Sequence, residues 1–427
     1  MTERKVLDGT APTKTSGDEV QRKFFGPRAT QWTPLELPTD LSDDPNEAQR
    51  QISGVKLAQS ELSNALLASL QMPHLVVLAG SGTSLGPKVN GPSMSDLWDR
   101  CVGVTTKSEN GELASTTLAD RVISSIGYSV ESLGKNIEAL LSRCESFLQL
   151  HDSDDVAQFV KASKETILEE CSRFVAGGDR DQLKAHLTFL HRLSRRRVRD
   201  SRLKVFTTNY DVCFEAAAGQ QGLVVIDGFS FTQPRRFDAR YFAMDIVRRG
   251  SAGDEQSSLL EGVFHLYKLH GSVTWARKAN DTIEIVEKTN ASEACLIYPA
   301  RGKYQQSYAQ PHLELVSQFF SVLRQPNTCL VVVGFGFNDD HLSEPILAAV
   351  RSNPHFRLIV VNRSAEKTSA TGSNRYWKAF LELASTGEDV WMINADFEQF
   401  AELIPDLKAL TPAQRLARDV RLIAEEQ

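Results

Sequence analysis

Residues 74–80 read His-Leu-Val-Val-Leu-Ala-Gly, and the chain continues without a break into Ser81-Gly82-Thr83-Ser84-Leu85-Gly86. A short continuous apolar run of this kind marks a strand buried on both faces, as in a parallel sheet. A glycine loop directly behind it lets backbone N–H groups approach a pyrophosphate, and the N-terminus of a following helix adds its dipole. The spacing GxGxxxG is one longer than the usual GxGxxG. No acidic residue about 20 positions on ends a second strand, as a dehydrogenase needs for the ribose. Any tight strand-to-helix turn can also use glycines. From this loop alone, nucleotide binding and simple turn geometry stand level.

Working outward, further apolar runs appear at 204–210 (KVFTTNY), 330–336 (LVVVGFG) and 357–362 (RLIVVN). Weaker ones lie at 223–227, 263–271 and 294–299. Helical spacing holds Val55, Leu62, Leu66 and Leu70 on one face, with Pro73 as the stop, and recurs over 135–149, 156–175, 181–195, 311–324 and 340–351. Strands alternating with helices predict an α/β fold, a doubly wound parallel Rossmann-like sheet. The amphipathic stretch of about 96–200 predicts a helical insertion inside a domain spanning 51–366. Residues 1–50, polar and without a period, predict an extended or disordered arm. Its aromatic residues Phe24, Phe25 and Trp32 would dock on this protein's own core or on a partner. Residues 367–427 predict a helical appendage, with patterns at 376–383, 397–404 and 413–424.

Of the 427 residues, 48 are basic and 54 acidic, a net charge of −6 that argues against a surface devoted to nucleic acid. No apolar run approaches the roughly 18 residues of a membrane span, and no apolar leader segment is visible at the start. Six cysteines (Cys101, Cys144, Cys171, Cys213, Cys295 and Cys329) are scattered with no CxxC pair. They give no support for a zinc ribbon and suit a reducing, cytoplasmic compartment. Membrane, secreted and fibrous classes are excluded on these grounds.

Polar residues cluster where the apolar runs end. Thr207-Thr208-Asn209-Tyr210-Asp211 closes one run, and an amide there can orient a water or a ribose hydroxyl without titrating; Asn209 and Asp211 could equally satisfy turn backbone. Lys268-Leu269-His270-Gly271-Ser272 closes another. A histidine at a strand end is placed for general-base work near neutral pH, although a lone histidine is more often structural. Gly334, Phe335 and Gly336 form the turn after a third run, with Asn338 and Asp339 expected to cap the helix near His341. Asn362 and Arg363 end the last run, as ligand contacts or as a strand-end turn.

In this order, AGSGTS, TTNYD, KLHGS, VVVGFGF and VVNRS resemble the sirtuin NAD-binding fold over roughly residues 60–365. The resemblance implies that Gly80, Ser81, Gly82, Thr83 and Ser84 line the pyrophosphate, and that Asn209 and Asp211 sit by the nicotinamide ribose. It implies His270 as the catalytic base, and Gly334, Phe335, Gly336, Asn362 and Arg363 at the adenosine end. NAD+ would be the substrate and no metal is expected. Protein-deacylating sirtuins carry a four-cysteine zinc module after the HG motif, where only Cys295 and Cys329 stand here. The family's PDFR stretch is replaced by GPKVNGPSMSDLW.

The pattern is closer to the bacterial sirtuin-like NADases of antiphage defence. These imply NAD+ hydrolysis to nicotinamide and ADP-ribose, abortive infection, and a homo-oligomer or separate partner as the gate. A HerA-type DNA translocase ATPase or a short Argonaute would be such a partner, linking the chain only indirectly to nucleic acid. The basic stretch His191 to Lys204 (Arg192, Arg195, Arg196, Arg197, Arg199, Arg202) is either a phosphate-backbone contact or a solvated helix end. Two other classes stay open: an NAD- or ADP-ribose-binding regulatory subunit without catalysis, and an ADP-ribosyltransferase or deacylase.

Overall fold

The apolar runs become strands of one sheet because their side chains find cover on both faces. The computed structural model describes residues 20–38, 41–103, 117–175, 179–197, 199–249, 258–298, 310–372 and 374–407. In chain order the strands are β1 (Lys23–Phe25), β2 (Thr33–Pro34), β3 (His74–Ala79), β4 (Leu203–Thr207), β5 (Val224–Ile226), β6 (Val247–Arg248), β7 (Ser258–Leu259), β8 (Val263–Lys268), β9 (Gly271–Arg277), β10 (Ile283–Ile285), β11 (Ala294–Leu296), β12 (Thr328–Val333), β13 (Phe356–Asn362) and β14 (Val390–Asn394). The main sheet has the order β2-β1-β14-β13-β12-β3-β4-β8-β5. Strands β14 to β5 in that order are parallel; β1 and β2 add antiparallel pairs at one edge.

This is a doubly wound, mostly parallel Rossmann-like sheet. Strand β12 shows why its sequence is apolar from Cys329 to Val333. Leu330 and Val332 face one core layer with Phe319 and Ile346, while Cys329, Val331 and Val333 face the other with Leu62, Leu66 and Phe400. A polar residue on either face would be buried without water. The chain builds outward from β3 on one side through β4, then crosses over to build β12, β13 and β14 on the other. The reversal lies at β3, between β4 and β12, and open α/β sheets bind ligands beyond the carboxyl ends of strands at such a point.

Between β3 and β4 come helices Met94–Val102, Leu118–Ser125, Val130–Leu133, Ile137–Leu148, Asp154–Arg173 and Lys184–Leu193. Ser93 and Thr117 start the first two with capping boxes, closed by Asp96 and Asp120. Leu97, Trp98, Val122, Leu140, Phe159 and Ile167 form a core of their own, which Tyr210, Val273 and Tyr298 join from the sheet side. Helix Lys184–Leu193 instead packs into the sheet's core through Leu187, Phe189 and Leu190.

Several expectations change. Part of the arm expected to be extended or disordered is sheet: Lys23–Phe25 pairs antiparallel with Met392–Asn394. Phe24 stacks on Trp391 at 5.9 Å and Phe25 lies 5.8 Å from Trp32, so the aromatics dock on this chain's own core. The first helix begins at Pro45, ten residues before Val55, because Asp44 caps it and Pro45 suits a first turn. The region expected to be purely helical from 367 contains β14, whose five residues Val-Trp-Met-Ile-Asn are too few to show a period. The 294–299 run gives β11, paired antiparallel with β9 in a separate small sheet. The pattern at 413–424 and residues 1–19 lie outside the described residues. Among the described residues no helix is long and apolar enough to cross a membrane.

Candidate active site

Five loops leave the carboxyl ends of neighbouring parallel strands: Gly80–Ser84 after β3, Thr208–Asp211 after β4, Leu269–His270 after β8, Gly334–Gly336 after β12 and Arg363 after β13. The first and fourth touch. Gly80 N donates to Val333 O and Gly82 N to Gly334 O, both at 2.9 Å. A Cβ on Gly80 would lie 2.6 Å from Gly334 O, and one on Gly82 would lie 2.6 Å from Gly334 Cα. Gly334 has φ +64°, a conformation costly for any other residue. Backbone-to-backbone packing therefore accounts for these glycines. Ser81, between them, lines the cavity described below.

The β3 loop's hydroxyls reach across to β4. Thr83 Oγ1 donates to Gly80 O at 2.9 Å, and Ser84 Oγ donates to Asp211 Oδ2 at 2.8 Å. Both hydroxyl protons are thereby used, so both oxygens can only accept from Asn209. They do: Asn209 Nδ2 donates to Thr83 Oγ1 at 3.1 Å and to Ser84 Oγ at 3.0 Å. This fixes which way the amide points. Asn209 is 8% exposed, and its carbonyl oxygen is the group left to offer to the cavity it lines. Asp211 has its other oxygen on Cys213 N at 3.0 Å, an Asx turn that opens helix Cys213–Gln221.

His270 sits in a turn that tolerates no side chain at the next position. Gly271 has φ +85°, and a Cβ there would lie 2.0 Å from Cys295 O. Leu269 N donates to Thr207 O at 2.8 Å, tying the turn to β4, and Ile297 N donates to His270 O at 2.9 Å. Behind the turn, buried His312 bonds Leu269 O through Nδ1 at 3.1 Å. Burial pushes its pKa down to about 4, so the ring is neutral and Nδ1 carries the proton. Lys268, buried at the end of β8, donates to Asp211 O and pairs with Glu215 Oε1 at 3.0 Å.

The β12 loop is strained and anchored. Phe337 has φ +56°, unusual for a bulky residue, and is fully buried against Phe380 and Trp377 at ring-centroid distances of 5.0 and 5.3 Å. Trp377 Nε1 donates to Gly336 O at 3.2 Å and Asn374 Nδ2 to Phe337 O at 2.9 Å. Phe335 packs edge-on against Phe337. Asp339 takes the N-cap position of helix Asp340–Ser352 without a side-chain capping bond. Asn362 holds β13 to this loop, accepting from Ser364 N at 2.9 Å and donating to Phe335 O at 3.5 Å, while Arg363 is exposed.

Two cavities flank Gly334. One, of about 190 Å³, is lined by Ser81, Ser84, Asn209, Tyr210, Asp211, His270 and Gly334–Gly336, with Asn338 and Asp339 beside them. From the helical segment come Met94, Leu97, Glu138 and Cys171, with Phe174 beyond it. The other, of about 100 Å³, takes Gly82, Thr83, Gly86, Lys88, Asn362, Arg363 and Phe397. The named residues thus divide: Asn209, Asp211 and His270 on one side, Asn362 and Arg363 on the other. Glu138, Lys268 and His312 also belong to this region, although their sequence surroundings do not single them out. Only the KLHGS motif hinted at Lys268; nothing marked the other two.

The basic stretch is largely engaged. Arg192 donates to the carbonyls of Ala401 and Glu402 at 2.9 Å, Arg196 to Leu70 O at 2.5 Å, and Arg197 to Gln71 O at 2.7 Å, all at helix C-termini. Arg202 pairs with Asp245 at 2.7 Å. Arg199 remains exposed. Cys295 lies 3.8 Å from His312 Nε2, and Cys329 is inside β12. Among the described residues no three His, Cys, Asp or Glu side chains group as a metal site.

No curated protein matches the chain significantly. Residues 203–381 match the family model of a SIR2-like domain. The match begins at β4 and ends within helix Arg375–Thr386, so it takes in Asn209, Asp211, His270, Gly334–Gly336, Asn362 and Arg363 while leaving the glycine loop outside. The chain carries a SIR2-like domain, which supports a sirtuin-like protein with NAD-related activity.

Proposed function

We propose that this chain is an NAD+ hydrolase releasing nicotinamide and ADP-ribose. The observation that carries the proposal is the pairing of Asn209, its amide oriented by two hydroxyls, with His270 on one cavity at the switch point of the sheet. Cleavage of the nicotinamide glycosidic bond passes through an oxocarbenium-like state, as in other glycoside hydrolysis. The C1′–N electron pair leaves with the nicotinamide nitrogen and a water oxygen bonds to C1′. Asn209 would hold that water or a ribose hydroxyl through its carbonyl oxygen, and His270 would take the proton. The second cavity would hold the adenosine end between Asn362 and Arg363.

Unrestrained NAD+ hydrolysis would kill the cell that makes it. The proposal therefore includes a gate, either oligomerisation or a separate partner such as a HerA-type ATPase or short Argonaute, and a role in antiphage defence by abortive infection. The expected assay result is nicotinamide release by wild type with its neighbouring gene product and DNA, lost in Asn209→Ala and His270→Ala. Release that survives both substitutions would overturn the site assignment. Binding of NAD+ by calorimetry with no release under any trigger would favour the non-catalytic regulatory reading.

A further inference from the structure

Ile297 ties the two candidate catalytic loops together. It follows β11 directly and is 1% exposed. Its N–H donates to His270 O at 2.9 Å, and its carbonyl accepts from the Tyr210 hydroxyl at 2.5 Å. A carbonyl only accepts, so the direction of the second bond is fixed. Tyr210 stands between Asn209 and Asp211 in the loop after β4. A side-chain bond, a single residue and a backbone bond therefore join the Asn209 loop to His270. The Tyr210 backbone adds a further tie on the same side, its carbonyl accepting from Val273 N at 3.0 Å.

The side chains of this loop go separate ways. Asn209 and Asp211 turn to Thr83 and Ser84 of the glycine loop. The Tyr210 ring instead joins the core of the helical segment with Leu97, Trp98 and Ile137, and with Val273, Leu296 and Tyr298 from the sheet side. Burial raises its phenol well above the usual pKa of 10, so the hydroxyl keeps its proton and stays a donor. A buried phenol needs a hydrogen-bond partner. The partner here is the residue that holds His270.

We propose that Tyr210 is a positioning residue for the reaction: through Ile297, its hydroxyl sets the spacing between Asn209 and His270. The inference rests on the NAD+ hydrolase reading and deepens it. The bond to Ile297 O uses the hydroxyl's one proton, so Tyr210 has none to give to a substrate and acts through the two loops. Asn209 and His270 must meet the same water or ribose hydroxyl, and a displacement of about 1 Å can cost on the order of 10²-fold in rate. Removing the hydroxyl leaves the ring in its core and the nucleotide contacts of the other loops in place.

The test uses the full chain with its neighbouring gene product and DNA. Wild type is compared with Tyr210→Phe and with Tyr210→p-aminophenylalanine, whose neutral aryl amine can donate to Ile297 O in the hydroxyl's place. Tyr210→Phe is expected to lower kcat for nicotinamide release by about ten- to a hundredfold, with KM changed by less than about twofold. It is expected to bind ADP-ribose in calorimetry as wild type does, and the amine variant to recover most of kcat. Deuterium exchange of the peptide carrying Ile297 reads the bond apart from activity: faster in Tyr210→Phe, and as wild type in the amine variant. Wild-type kcat or unchanged exchange in Tyr210→Phe, a loss confined to KM, or a loss that the amine does not restore would each overturn the role of Tyr210. So would a Tyr210→Phe protein that no longer binds ADP-ribose, since the hydroxyl would then support the whole nucleotide site. Wild type that binds ADP-ribose but releases no nicotinamide with the gene product and DNA present would overturn the hydrolase reading, and this inference with it.

Discussion

Ser84 donates its hydroxyl hydrogen bond to Asp211 at 2.8 Å and accepts one from the Asn209 amide at 3.0 Å, so one small side chain of the glycine loop orients two polar residues of the loop after β4. Ser84→Ala removes both bonds inside a buried site. The expected cost is about 1–3 kcal/mol of stability. Catalysis is expected to fall on the order of 10²-fold through loss of alignment. Thermal melts and nicotinamide release measure the two effects separately.

Asn209→Asp tests the deduced amide orientation. A carboxylate offers only acceptors to Thr83 and Ser84, whose protons are already given to Gly80 O and Asp211. It would also sit two residues from a second carboxylate. Asn209→Asp is expected to be less stable than Asn209→Ala, by about 1–2 kcal/mol. The reverse order in urea melts would mean that the amide points the other way.

Gly271→Ala is expected to be far more damaging than its one methyl group suggests. The residue has φ +85°, and the new carbon would overlap Cys295 O. Strain and overlap together should cost about 3 kcal/mol or more. Melting temperature would report the loss, and an unchanged value would show that the turn can rearrange.

Acid should weaken the fold earlier than carboxylate titration alone predicts. Burial pushes His186, His265 and His312 down to about 4 from 6.5. Between pH 6.5 and 4 the unfolded chain binds these protons and the folded chain does not. Stability from this source is complete above pH 6.5 and falls as pH drops, by up to about 1.4 kcal/mol per pH unit for each histidine. Both ring nitrogens of His186 are buried without a hydrogen bond, and the ring lies 5.1 and 4.9 Å from the rings of Phe214 and Phe397. His186→Phe should therefore flatten the pH dependence measured by urea unfolding at pH 4.5–7.5.

Lys268 and Glu215 form a pair whose halves are not separately expendable. Burial raises the Glu215 pKa, and Lys268 opposes that shift. Lys268→Met should cost about 2–4 kcal/mol by stranding the carboxylate, and adding Glu215→Leu should recover most of it. A double variant as unstable as the single one would mean that the bond from Lys268 to Asp211 O matters more than the ion pair.

The fold class was legible because β3, β4, β12 and β13 are buried on both faces and so are written mainly in apolar residues, with polar ones confined to their ends and to Lys204 and Arg357. Strand β14 was not, since a five-residue run after a helix carries no period. The site was legible where chemistry falls at strand ends, as with Asn209 and His270. Glu138 was not, because nothing local distinguishes it from other charged residues of an amphipathic helix; only the packing of its helix against Met94–Val102 and Asp154–Arg173 brings it to the cavity. Nor was His312, which supports His270 from 42 residues further along the chain.

The pairing of β1 with β14 carries a consequence for how the protein is made. Lys23–Phe25 leaves the ribosome early, yet its partner Met392–Asn394 is synthesised more than 360 residues later. At about 5–20 residues per second, Phe24 and Phe25 wait roughly 20–70 s for the strand that covers them. Through that interval the growing chain presents two adjacent aromatic residues without Trp391 or Met392, a sequence that a chaperone could hold. The sheet's outer edge is thus among the last parts of the molecule that can close, and a chain stopped before β14 would leave the ribosome with Phe24 and Phe25 unmatched.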